Sequence, residues 1–114
     1  MNKFLTHLLI LLLPCCLSNA YAKTYSVENN NIVNLRTLIN ASAPGDTIAL
    51  AAGKWYIAET LKLDKSIHLK GSGIEKTILI NSSVSGAPMI QYNASKNLKY
   101  SFKLSDMTLQ GKGV

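Results

Sequence analysis

The stretch APGDTIALAAGKWY, residues 43–56, separates a helical pattern from a series of short strand patterns. Pro44 fixes its own φ angle, Gly45 can adopt a positive φ, and the Asp46 carboxylate can accept hydrogen bonds from nearby backbone N–H groups. Residues 47–50 then alternate between polar and apolar side chains before a glycine ends the pattern. This order predicts a turn followed by a half-buried β-strand.

Upstream of the turn, residues 32–41 have the period of an amphipathic helix. Asn31 or Asn34 can cap its first turn, and Pro44 prevents it from continuing. A single short helix must bury its apolar face to be stable, so we expect it to pack on the strands that follow. The apolar face consists of Ile32, Leu35, Leu38 and Ile39.

Downstream of the turn, pairs of apolar residues separated by one residue recur along the chain. They begin at Ile48, Ile67, Ile90 and Met107, at intervals of 19, 23 and 17 residues. Repeats of this length, with two or three short strands each, are typical of a parallel β-helix, in which each coil buries its apolar side chains against the next. The pattern therefore predicts an all-β solenoid with an N-terminal capping helix.

The alternative architecture is a small antiparallel sandwich or barrel. It would need tight hairpin signals such as Asn-Gly or Asp-Gly, and the sequence contains neither. At the C-terminal end, no second capping element follows Leu109, although a solenoid needs a cap at each end. We therefore expect a solenoid that is incomplete at its C-terminus, as in the first coils of a longer protein or in a truncated product.

Four segments form a recognisable set: LRTLI at 35–39, APGDTI-x-L-x-x-G-x-W at 43–55, L-x-L-x-K-x-I-x-L-x-G-x-G-x-x-K-T-x-L at 61–79, and LSDMTL-x-G at 104–111. Together they resemble the N-terminal end of the pectate-lyase-like superfamily of right-handed parallel β-helix proteins. The resemblance implies a right-handed solenoid. It also implies lyase, hydrolase or epimerase chemistry on polysaccharides, although the superfamily includes β-helix proteins without glycan chemistry. Catalytic bases, arginines and calcium ligands lie in later coils of such proteins, so no catalytic residue is carried over.

Residues 1–22 have the features of a secretory signal peptide. A lysine near the start precedes an apolar block at 4–13, and Ala-Tyr-Ala stands at 20–22. The block is shorter than the roughly 20 residues that a membrane-spanning helix needs. We expect cleavage after Ala22, which leaves residues 23–114 as a secreted or periplasmic chain with no membrane span and no cysteine.

The sequence is basic, with 12 Lys and Arg against 6 Asp and Glu and a net charge of +6. The basic residues are spread along the chain, which does not favour nucleic acid as a partner. In an exported protein this charge suits an anionic polysaccharide or an envelope surface. The unpaired strand edges of an incomplete solenoid also predict edge-to-edge self-association.

The residues present do not predict a catalytic, cofactor or metal site. The six acidic residues are dispersed, whereas glycosidases need two opposed carboxylates and hard-cation sites need several converging oxygens. Strand alternation instead turns Ser66, His68 and Lys70 outward if Ile67 and Leu69 are buried. The candidate glycan-facing residues on one stacked face are His68, Lys70, Gln91 and Thr108.

Three functional hypotheses follow from these observations. The first is the opening segment of an exported protein that acts on uronic-acid polysaccharides, as the resemblance implies, without the catalytic coils. The second is a non-catalytic module that binds glycan or envelope surface. The third is a truncated, non-functional fragment.

Overall fold

The computed structural model describes residues 22–28, 30–93 and 100–111. The predicted signal peptide therefore lies outside the described residues, apart from Ala22. None of the described helical segments is long and apolar enough to cross a membrane. The elements are β1 (Thr24–Val27), α1 (Ile32–Ala41), β2 (Thr47–Leu50), β3 (Gly53–Ile57), β4 (Leu61–Leu63), β5 (His68–Lys70), β6 (Thr77–Asn81), β7 (Ile90–Tyr92), β8 (Lys103–Ser105) and β9 (Thr108–Gln110).

The strands form three parallel sheets. The four-stranded sheet has the order β1-β2-β5-β8, the three-stranded sheet β3-β6-β9, and the two-stranded sheet β4-β7. Paired residues are 21 to 35 positions apart in the chain, as in Thr47 with His68 and His68 with Lys103. Consecutive strands from β2 to β4 therefore belong to different sheets.

The predicted fold class, an all-β right-handed parallel β-helix, is wrong. The described residues form a small α/β domain of three parallel sheets with a single helix. Apolar alternation predicts the strands and their parallel pairing, but it does not determine how many strands each sheet contains or how the sheets close. The antiparallel alternative is wrong as well, because the described pairings are parallel. The fold also conflicts with the pectate-lyase assignment that followed from the same pattern.

The helix is confirmed at Ile32–Ala41, and it supplies part of the core. The Asn31 side chain caps its start by accepting a hydrogen bond from the Asn34 N–H at 3.1 Å. Leu35 and Ile39 are buried against the strands, which is why the class is α/β rather than all-β. At the other end, the Lys65 ammonium donates to the carbonyl oxygens of Ile39, Asn40 and Ser42, where the helix leaves C=O groups without intrahelical partners.

The core consists of the inward side chains of the sheets and the apolar face of α1. Trp55 is fully buried and donates from Nε1 to the Ala51 carbonyl at 3.1 Å, whereas its neighbour Tyr56 is 49% exposed. Full burial of an aliphatic or aromatic side chain stabilises a fold by about 1.5–3 kcal/mol. The buried apolar residues are Val27, Leu35, Ile39, Ile48, Leu50, Trp55, Ile57, Leu61, Leu63, Ile67, Leu69 and Leu79.

The turn before β2 is held by Asp46, as its sequence predicts. The buried carboxylate accepts hydrogen bonds from the Ala43 N–H through Oδ2 and from the Lys23 N–H through Oδ1, both at 2.9 Å. Gly45 has a φ of +92°, a conformation that residues with a Cβ rarely adopt. Asp46 thus joins the helix exit to the start of β1 and has a structural role.

Candidate anion-binding surface

The outer face of the four-stranded sheet carries two rows of mostly polar side chains. Successive side chains of a strand point to opposite faces, so the register that buries Ile48 and Leu69 turns these rows outward. One row is Thr24, Thr47, His68 and Lys103, and the other is Ser26, Ala49, Lys70 and Ser105. These positions are called the polar face below.

Two exposed lysines stand on the polar face. Lys70 lies on β5 and Lys103 on β8, and they are diagonal neighbours because Lys103 pairs with His68 and Lys70 pairs with Ser105. Strand separation and rise place the Cα atoms of such diagonal neighbours about 8 Å apart. The two ammonium groups can therefore reach the same extended ligand from neighbouring strands.

His68 lies beside both lysines and bonds to the neighbouring strand. Its Nε2 is 2.6 Å from the Ser105 hydroxyl oxygen, and that hydroxyl donates to Asp106 Oδ2 at 3.1 Å. Because the Ser105 hydroxyl donates its hydrogen to Asp106, the Ser105 oxygen accepts in its contact with His68. The imidazole Nε2–H is therefore the donor in that bond. Burial lowers the pKa of His68 below 6.5, Lys103 and Lys70 lower it further, and Asp106 acts in the opposite direction. The imidazole is thus mainly neutral at pH 7, and its protonation would add a third positive charge.

An open cleft of about 390 Å³ lies along the first row of the polar face. This volume falls within the range of ligand-binding clefts, about 300–1,000 Å³. The cleft offers hydroxyl groups, an imidazole, a cation and an aromatic ring to a ligand. Its lining residues are Gly45, Thr47, Ser66, His68, Tyr100, Ser101 and Lys103.

A smaller cleft, of about 180 Å³, lies between α1 and the two-stranded sheet. Two cationic residues, Arg36 and Lys62, line it, and Arg36 donates hydrogen bonds to the backbone carbonyls of Glu59 and Thr60. These bonds tie the helix to the loop before β4. The Arg36 guanidinium is therefore engaged in structure, and this cleft is a weaker candidate site.

The four predicted glycan-facing residues lie on three different sheets. His68 and Lys70 are both on β5 and share the polar face, whereas Gln91 is on β7 of the two-stranded sheet and Thr108 is on β9 of the three-stranded sheet. The expected common ladder of all four is therefore absent. Their contact with glycan stays a prediction.

Ser66 departs from its predicted orientation. It was expected to face outward with His68. Instead Ser66 is buried, and its hydroxyl oxygen is 2.7 Å from the Tyr92 hydroxyl oxygen. Tyr92 in turn stacks on Phe102, with ring centroids 4.8 Å apart. Ser66 lies just before β5, where the strand alternation that placed it outward does not yet apply.

Lys103, Ser105 and Tyr100 were not predicted from the sequence. Strand alternation around Leu104 would turn Lys103 outward. Its neighbour could not be identified from the sequence, because β8 pairs with β5 across 35 residues. Tyr100 precedes β8, where periodicity carries no information about side-chain direction.

Within the part of the chain that the structure describes, no three His, Cys, Asp or Glu side chains are grouped to hold a metal ion. Comparison with known proteins found no matching family model, no matching curated protein and no matching solved structure.

Proposed function

We propose that this chain is a non-catalytic domain that binds an anionic polysaccharide outside the cytoplasm through its polar face. The observation that carries the proposal is the diagonal placement of Lys70 and Lys103 on neighbouring strands, on either side of the His68–Ser105 hydrogen bond. Two cations and several hydroxyl groups on one surface complement carboxylates and sugar hydroxyls. The signal-peptide pattern supports an extracytoplasmic ligand.

A polymer fits this surface better than a small anion does. Exposed charge pairs contribute only about 0.2–1 kcal/mol each, so one carboxylate on one lysine would bind weakly. A polysaccharide presents many carboxylates on one chain, and the second contact then forms at a high effective concentration. The polar face spans four strands and can accept several such contacts.

None of the described residues that line the cleft carries a carboxylate, which favours binding over hydrolysis. Asp106 is the acidic residue that hydrogen-bonds within the polar face, and its partner is the Ser105 hydroxyl. Glycoside hydrolysis needs two carboxyl groups about 5–9.5 Å apart across the scissile bond. Asp46, the acid nearest to the cleft in sequence, is buried and bonded to backbone N–H groups.

The test is the affinity of the purified protein for fluorescently labelled alginate, measured by anisotropy, with dextran as the neutral comparison. We expect binding to alginate that weakens as NaCl is raised, because salt screens exposed charges. Lys70→Gln combined with Lys103→Gln should weaken binding about five- to tenfold. The matched control is Lys54→Gln combined with Lys62→Gln, which removes the same charge from exposed positions on the other two sheets.

The two double variants separate a site from a general charge effect. A larger loss in the Lys70/Lys103 variant supports the polar face as the binding surface. Equal losses in both variants would mean that alginate responds to net charge alone. Binding to dextran as tight as to alginate would contradict the proposal.

A further inference from the structure

We infer that β8 is a dimerisation strand, whose free edge pairs antiparallel with β8 of a second copy of this chain. The dimer goes beyond the proposed function, because it uses the edge of the four-stranded sheet rather than a ligand on its outer face. Two observations carry it. Core-facing side chains are exposed at this end of the molecule, and β8 is an edge strand whose charges and backbone groups are complementary to those of its own copy.

The apolar columns of the core are open at the end that carries β8 and β9. Trp55, Leu79 and Leu109 occupy paired positions of the three-stranded sheet, yet the first two are fully buried and Leu109 is 47% exposed. In the four-stranded sheet Leu69 is fully buried, whereas its partner Leu104 is only partly buried. Both sheets thus present core-facing side chains to water at their last strand, which favours contact with another apolar surface.

The outer edge of β8 offers backbone groups for pairing. The Lys103 N–H donates to the Ile67 carbonyl, and the Ser105 carbonyl accepts from the Gly71 N–H, so both residues direct these groups toward β5. Successive residues of a strand direct their backbone groups to opposite sides, so the N–H and C=O of Leu104 point away from β5. Among the described residues, no strand pairs with that side of β8. Such an edge is a template for another strand.

A second copy of β8 matches this edge in the antiparallel orientation. When Leu104 lies opposite Leu104 of the second copy, the two residues exchange both N–H···O=C bonds. The same register places Lys103 opposite Ser105 of the second copy, on the same face of the sheet. The Ser105 hydroxyl lies 3.1 Å from Asp106 Oδ2, so each Lys103 ammonium can reach the Asp106 carboxylate of the other copy. The edge is therefore complementary to itself in hydrogen bonds and in charge.

The opposite end of the molecule is already covered, which favours a closed dimer over a filament. There α1 packs on the sheets, and Val27 of the edge strand β1 is only 1% exposed. Contact of β8 with β1 of the next copy would be head-to-tail and would propagate, whereas pairing of β8 with itself closes at two copies. Because β8 is short, the interface is small, and we expect a dissociation constant of about 10–100 µM.

The test is sedimentation equilibrium of the purified protein, without polysaccharide, from about 5 µM to about 500 µM. We expect a reversible equilibrium between monomer and dimer. Lys103→Glu should raise the dissociation constant at least about fivefold, because it places like charges beside Asp106 of the other copy. Lys54→Glu, at an exposed position on β3, is the matched control. It should not weaken the dimer, since it lowers the net positive charge of each copy by the same amount.

A second variant and a second measurement locate the interface. Asp106→Asn removes the other half of the charge pair, and asparagine tolerates the φ of +57° at this position. It should weaken the dimer about two- to fivefold. In the wild type, hydrogen exchange at the Leu104 amide should slow as the protein concentration rises, because pairing protects it. Exchange at the Ser26 amide, on the other edge strand β1, should not change.

Each outcome supports the dimer or overturns it. A monomer at every concentration would contradict it, and growth beyond two copies would contradict the closed pairing. A folded Lys103→Glu variant that dimerises as tightly as the wild type would exclude β8 as the interface, and thermal unfolding shows whether that variant is folded. Loss of the dimer leaves alginate binding by the single chain standing. Loss of alginate binding leaves the dimer standing, because the sedimentation samples contain no polysaccharide.

Discussion

The backbone carbonyl of Asp106 occupies the space into which a side chain at Gly71 would project. A Cβ on Gly71 would lie well inside van der Waals contact with that oxygen and 2.9 Å from both the Met107 and Thr77 Cβ atoms. The Gly71 N–H also donates to the Ser105 carbonyl at 2.9 Å. This close approach connects the end of β5 to the end of β8, next to the polar face.

Gly71→Ala should therefore destabilise the protein strongly. The methyl group would force the chain at Asp106 away from β5, and overpacking of this kind costs about 1–3 kcal/mol. The measurement is the free energy of unfolding in urea. Gly111→Ala is the control, because a Cβ there would meet no atom within 4 Å. Equal stability of the two variants would contradict the close approach.

Thr77→Val should cost about 1–3 kcal/mol of unfolding free energy, because it leaves buried polar groups without partners. Thr77 is fully buried, and its hydroxyl oxygen accepts from the Ser72 N–H at 2.8 Å and lies 3.1 Å from the Ala51 carbonyl oxygen. Thr24→Val, at an exposed strand position, should change stability little. Thr77→Ser should retain most of the stability, and a stable Thr77→Val variant would show that these bonds contribute little.

Lys65→Met should destabilise the helix end by about 1 kcal/mol, because it removes the cation at the C-terminal carbonyls while keeping the aliphatic stem. Thermal unfolding measures the effect. Lys62→Met, at an exposed position on the neighbouring strand β4, serves as the control. Identical melting temperatures for the two variants would argue against the Lys65 contacts with α1.

Alginate binding should tighten as the pH falls from 7 to 5, by about two- to fivefold. His68 gains a positive charge over this range, and because its pKa lies below 6.5 the gain falls mainly in the lower part of the range. Sugar carboxylates stay largely ionised down to about pH 5. His68→Gln should remove this pH dependence, and a variant that keeps the full dependence would exclude His68 as its cause.

The stability of the free protein should change with pH in the opposite sense. The lowered pKa means that the unfolded chain binds a proton at residue 68 more readily than the folded chain does. This contribution to stability is therefore present above pH 6.5 and is lost as the pH falls. Melting temperatures of wild type and His68→Gln at pH 7 and pH 5 give the comparison, in which the wild type should lose more on acidification.

Local signals predicted the helix and several of the strands, whereas the fold class depended on long-range packing. Asn31 and Pro44 mark the helix ends within a few residues of sequence, and alternation identifies short strands in the same way. The number of strands per sheet depends on which distant segments pair. The contribution of Leu35 and Ile39 to the core depends on how α1 packs. Neither is determined by a local pattern.

The candidate site was predictable only where its residues share a strand. His68 and Lys70 lie two positions apart on β5, so alternation places them on one face. Lys103 joins them through pairing across 35 residues, and Gln91 was expected beside them but belongs to another sheet. The position of Tyr100 depends on the backbone of Gly45, which no spacing in the sequence connects to it.

The most direct test of the polar face is to map alginate oligomers onto the protein by amide chemical shifts in NMR. The account predicts that the largest shifts fall on Thr47, His68, Lys70, Lys103 and Ser105, with Tyr100 at the edge of the perturbed surface. Shifts that concentrate instead around Lys54 and Lys62, or spread evenly over the basic residues, would contradict it.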